Sequence, residues 1–159
     1  MLLVISSDAI ATEPARPLHT LELTVSNATL IDLDQRATTR FGAGGSATVH
    51  ILAHLLEFEL VAHLLRGPGE LIAPIDFIAK HTFLLSPTLH PYVGAGLTVV
   101  PVFETHEANV EWGVATAFGI DVWLQPDYGI FLEGSLNLIA PVHDAALETG
   151  LALGPIIGF

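Results

Sequence analysis

Apolar and polar residues alternate with a period of two through most of this 159-residue chain. That period sends successive side chains to opposite faces of a β-strand. The last stretch shows it most plainly. Leu147, Thr149, Leu151, Leu153, Pro155, Ile157 and Phe159 share one face, while Glu148, Gly150, Ala152, Gly154, Ile156 and Gly158 share the other. The same signal predicts strands over 18–26, 39–52, 56–64, 71–82, 92–100, 110–123 and 129–139 before the closing one at 147–159, eight in all. Turn and loop composition separates them at 27–38, 53–54, 66–70, 84–90, 101–109, 124–128 and 140–144. Most strands are roughly ten residues long, which suits a tilted crossing of a bilayer core.

Register can be tested within one hairpin. A two-residue turn at Ala53-His54 sets His50 opposite Glu57 and Leu52 opposite Leu55, and the polar sets of both strands then fall on one face. A slip of one residue would invert this agreement.

Alternation alone does not say which face points inward. A soluble, lipocalin-like ligand-binding barrel turns its apolar face in, and an outer-membrane barrel turns it out. Three features favour the outward version. The polar set is rich in Gly, Ala and Ser and nearly lacks Lys, which suits a narrow lumen. The apolar set is too bulky to fill an eight-stranded interior. The closing strand also ends on its apolar face, at Phe159. The predicted fold is all-β: a closed, antiparallel, up-and-down transmembrane barrel of eight strands in a bacterial outer membrane.

Composition sharpens this picture. Charged residues are 14% of the chain, against about 25% in soluble domains. Seventeen acids against five basic residues give a net charge of −12, which argues against nucleic acid as a partner. With no cysteine there is neither a disulfide framework nor a thiolate metal site. The longest uncharged run, 82–103, contains Pro87, Pro91, Pro101, Gly94 and Gly96, so it cannot be a membrane-spanning helix. At the start, residues 1–17 are expected to be a leader: a clipped signal with Ala9-Ile10-Ala11 at its small-residue end and a spacer over 12–17, or a disordered segment. The barrel domain is 18–159.

Pro91-Tyr92-Val93-Gly94-Ala95-Gly96-Leu97 resembles the PYVGAG segment of small, OmpA-like eight-stranded outer-membrane barrels. Phe41-Gly42-Ala43-Gly44-Gly45, Gly129-Ile130-Phe131-Leu132-Glu133-Gly134 and the terminal Phe159 fall where such barrels carry similar patterns. The resemblance spans 18–159, and its motifs are specific to the fold rather than to a function. It implies recognition of the closing strand by the barrel-assembly machinery. A counterpart of the family's periplasmic peptidoglycan-binding domain is not expected, so a cell-wall tether is not implied.

The polar face supplies the candidate site. Arg40, Lys80, Glu22, Glu57, Glu59, Asp76, Glu111, Asp121, Glu133 and Glu148, with His50 and His63, are expected to face the lumen, eight acids against two fixed cations. The expectation is a polar plug with Arg40 and Lys80 each bridging several acids. A narrow cation-attracting channel is the alternative. A lipid-modifying enzyme is a second one, with His50 as base, Glu57 as its orienting acid and Ser46 as the nearest serine on that face. Ser46 lies about 13 Å along the strand from His50, too far for a nucleophile. On the outer face Gly134 and Thr149 are the only polar or minimal residues expected. The eight histidines are scattered without ligand spacing, so neither a metal nor a cofactor is expected. Trp112, Tyr128 and Phe159 read as membrane-interface aromatics. Outer-membrane lipid or lipopolysaccharide is the expected surrounding partner, and a protein or lipid partner could dock on the smooth patch at Ala43, Gly45 and Ala47. The role expected is structural or interaction-based.

Overall fold

A computed structural model describes residues 17–31, 37–51, 56–104, 108–140 and 146–159. Every regular element in it is a strand: β1 (His19–Ile31), β2 (Ala37–Ile51), β3 (Leu56–Gly67), β4 (Glu70–Ile72), β5 (Ile75–Thr82), β6 (Leu89–Glu104), β7 (Ala108–Gln125), β8 (Tyr128–Ala140) and β9 (Ala146–Gly158). The leader at 1–16, the turn at 53–54 and the tips at 32–36, 105–107 and 141–145 lie outside the described residues.

All pairings are antiparallel, and β1 pairs with both β2 and β9, so the sheet closes on itself. β4 and β5 are two halves of one wall strand. Leu65 pairs with Ile72 and Ala62 with Ile75, so the register does not change across the break. The break falls at Ala73-Pro74. His63 donates its N–H to Pro74 O at 3.0 Å, and the proline ring has no N–H to return. Ala73 likewise donates to Pro101 O at 2.9 Å on the other side, again without a return bond. Counting β4 and β5 together, the ring has eight strands.

The strands run further than hydrophobic alternation suggests. The expected loop at 27–38 is shorter, because β1 continues to Ile31 and β2 begins at Ala37, with Asn27 paired to Phe41 and Thr29 to Thr39. The expected loop at 101–109 is shortened in the same way by β6 and β7. Asn and Thr looked like loop residues, but ladder bonds to the neighbouring strand hold them extended, and threonine suits a strand well. The turn after β3 is Pro68-Gly69, where Gly69 takes a positive φ of 82° that a side chain would strain. The turn after β7 is Pro126-Asp127, beside a bulge at Trp123/Gln125.

Both described chain ends sit at one rim, where Phe159 N donates to His19 O at 3.1 Å. The faces divide as an outer-membrane barrel requires. Leu23 and Val25 are 63% and 68% exposed on the outside, while Glu22 between them and the terminal rim is 7% exposed inside. Exposed Leu, Phe, Val and Ile side chains cover all sides of the barrel. No soluble barrel could present that surface to water.

Candidate functional site

The lumen is built from inward-facing polar residues organised around two cations. Lys80, 3% exposed, is held between Glu59 Oε2 at 2.5 Å and Glu133 Oε2 at 3.0 Å. Tyr92 Oη donates to the same Glu133 oxygen at 2.9 Å, and the Lys80 ammonium lies 4.2 Å from the centre of the Tyr92 ring. Around this centre Ser46 donates to Glu22 at 3.1 Å and Thr48 to Glu59 at 3.4 Å. Tyr92 fits because its cross-strand partner is Gly119, where a Cβ would stand 2.5 Å from the phenol oxygen.

Arg40 forms the second centre, toward the rim away from the chain ends. Its Nε and Nη2 both donate to Glu70 Oε1 at 2.9 Å, and Nη1 lies 3.9 Å from Glu148 Oε2. Asn137 ties Glu148 into the wall: Nδ2 donates to Glu148 Oε1 at 3.3 Å, and Oδ1 accepts from Thr116 N at 3.2 Å. Ala28, Leu65, Ile72, Val100 and Ile139 form an apolar cluster inside this end of the lumen, joined by Leu30 and Val102.

Between the two centres lies a cavity of about 40 Å³ lined by Ser26, His63, Asp76, Glu133, Ser135 and Glu148, among others. That is room for a few water molecules. Ser26 Oγ and His63 Nδ1 are 2.7 Å apart, although β2 separates their strands. They reach each other because β2 presents Gly42 and Gly44 inward there, and a Cβ on Gly44 would stand 3.0 Å from the His63 ring. At the terminal rim His50 Nδ1 lies 3.1 Å from Glu57 Oε1. Thr82, His90, Asp121 and Trp123 join that pair around a cavity of about 10 Å³.

The expected lumen residues therefore divide into groups. Lys80, Glu59, Glu133 and Glu22 come together, Arg40 meets Glu148, and His50 meets Glu57. Asp76 and Asp121 each line a cavity, while Glu111 faces inward on β7. Glu70, assigned to a turn by its Arg-Gly-Pro-Gly-Glu context, is the nearest partner of Arg40 and was missed. Ser46 bonds Glu22, and it is Ser26 that meets a histidine. The outer face also holds more polar groups than Gly134 and Thr149. Asn27 and Thr29 lie there because β1 outruns its alternating segment, and Thr39 and Thr116 lie there within predicted strands. Thr116 lies among apolar neighbours with its hydroxyl donated to Leu136 O. Trp112 stands exposed toward the far end of β7, and Tyr128 and Phe159 stand exposed at the terminal rim. Ala43, Gly45 and Ala47 face outward between bulkier rows on β1 and β3. Among the described residues no group of three His, Asp or Glu side chains has a metal-holding arrangement.

No protein-family model matches the sequence, and no curated protein matches it either. Solved structures do share the fold. Neisserial surface protein A superposes with a TM-score of 0.76 at 16% identity, over 89% of this chain and 97% of that one. Ail, the attachment invasion locus protein of Yersinia pestis, gives 0.65 at 11% identity, over 91% and 100%. The N-terminal β-barrel domain of Pseudomonas aeruginosa OprF gives 0.56 at 17%, over 87% and 97%. The fold is that of the small eight-stranded outer-membrane β-barrels. Its apolar outer wall makes it a transmembrane barrel of the outer-membrane kind.

Proposed function

We propose that this chain is an integral outer-membrane barrel with a structural or interaction role, its lumen shut by its own side chains rather than open as a pore. The observation that carries this reading is the Lys80 centre, where Glu59, Glu133 and Tyr92 converge across the lumen from β3, β8 and β6. The apolar cluster around Ile72 and Ile139 supports it from the other end. An eight-stranded barrel has an interior only wide enough for side chains to fill. Enzymatic chemistry gains little support. The Ser26–His63 pair faces a cavity too small for a lipid substrate, and no hydrogen bond to a carboxylate orients His63 among the described contacts. The closing strand, β9, is the segment proposed to engage the assembly machinery.

Purified protein in planar bilayers tests the reading. We expect no conductance steps from barrels whose folded state is confirmed by heat-modifiable gel mobility. Regular cation-selective steps from that same preparation would replace the plug with a conduit, which the excess of lumen acids over cations would then explain.

A further inference from the structure

The outer wall carries almost no charge. Of the five basic residues, Arg40 and Lys80 point into the lumen and Arg16 and Arg36 lie outside the described residues. Arg66 remains. It follows the outward Leu64 on β3 and is exposed, while Leu65 between them is buried inside. Among the residues whose side chains are described, Arg66 is the one charged group on the lipid-facing wall of the strands, and no ion pair to another of them holds it. The nearest acid along the chain, Glu70, is turned inward onto Arg40.

Arg66 does not stand alone. Its cross-strand partner on β2 is Phe41, which places Thr39 diagonally beside it, at the roughly 7–8 Å usual for such neighbours. Thr39 pairs with Thr29 on β1, their hydroxyls 3.0 Å apart, and Thr29 pairs in turn with Thr149 on β9. A guanidinium and a row of hydroxyls thus share one patch of a mostly apolar wall, near the rim opposite the chain ends. An arginine facing lipid is costly at the bilayer midplane and costs little near the headgroups, so the patch belongs at headgroup level. Its chemistry matches a ligand with a phosphate, several sugar hydroxyls and acyl chains. Guanidinium groups hold phosphate oxygens with paired donors. The threonine hydroxyls can both donate to and accept from sugar hydroxyls. The acyl chains continue onto the lipid-facing wall below.

We propose that the wall around Arg66, Thr39 and Thr29 seats one phosphorylated glycolipid of the outer leaflet, its phosphate on Arg66 and its sugar hydroxyls on the threonine row. The assignment rests on the barrel spanning an outer membrane with its chain ends toward the periplasm. The test reconstitutes the full chain in nanodiscs containing a phosphorylated glycolipid. After exchange into detergent, native mass spectrometry counts the retained lipid. The wild type is expected to keep one glycolipid per barrel. Arg66→Gln is expected to lower retention about tenfold, the loss of one charge-assisted contact, and Thr29→Val with Thr39→Val to lower it less. Glycolipid stripped of phosphate should bind the wild type no better than intact glycolipid binds Arg66→Gln. Three outcomes overturn the site: no retention by a folded wild type, equal retention by folded Arg66→Gln, or equal retention of phosphatidylglycerol. Heat-modifiable mobility of each protein separates these from failure of the barrel itself, since a chain that never folds in lipid removes the underlying reading instead.

Discussion

The two cation centres of the lumen are built differently. Lys80 is nearly sealed, with carboxylates from β3 and β8 at 2.5 and 3.0 Å and an aromatic ring against it. Arg40 has one close carboxylate, Glu70, and a second at 3.9 Å, and Glu70 keeps 17% of its side chain accessible. The first is a clasp joining strands on opposite sides of the ring, and the second is a local bond near the rim. Depth makes the difference, because removing one partner of a buried pair strands the other without water to solvate it.

The largest effect should therefore follow Lys80→Met. It leaves Glu59 and Glu133 facing each other in the lumen and is expected to cost about 3–5 kcal/mol in urea unfolding of the lipid-embedded barrel. Arg40→Met is expected to cost less, about 1–3 kcal/mol, because water can reach Glu70. Equal losses for the two variants would erase the distinction between clasp and rim bond. Next comes Gly119→Val, which drives a side chain into the Tyr92 ring. Overpacking of this kind costs about 1–3 kcal/mol. Tyr92→Phe in the same background should recover part of it, because the nearest clash, at 2.5 Å, is with the phenol oxygen, while those with the ring carbon and Leu132 O, both at 2.6 Å, remain. The smallest effect expected is that of Tyr92→Phe alone, about 1 kcal/mol for one hydrogen bond to Glu133. A loss as large as that of Lys80→Met would make the phenol, rather than the ammonium, the centre of the clasp.

Alternation in the sequence was enough to sort the side chains into two faces, because each strand repeats the same two-residue message. Residue size and the scarcity of Lys then pointed the apolar face outward. The His50–Glu57 opposition was legible because a short hairpin fixes its own register. Partners across the ring were not. Glu133 lies 53 residues from Lys80, and only closure of β1 on β9 brings their strands to bear on one lumen. The Ser26–His63 contact was hidden for another reason. It passes over β2, and its trace in the sequence is the absence of side chains at Gly42 and Gly44. The polarity of Asn27 and Thr29 resembles turn chemistry and predicts a loop, whereas pairing to Phe41 and Thr39 keeps them in the wall. The glycolipid patch therefore falls where the alternation signal stops and the ladder continues.

Pro74 and Pro101 face the same short stretch of wall, and each withholds one rung. Force spread around a closed hoop concentrates where the hoop has fewest ties. If the cylinder is squeezed by a change in bilayer thickness, it should yield first along the line from His63 through Ala73 to Pro101. Mechanical compliance in this protein would then reside in two imino acids rather than in the charged clasps of the lumen.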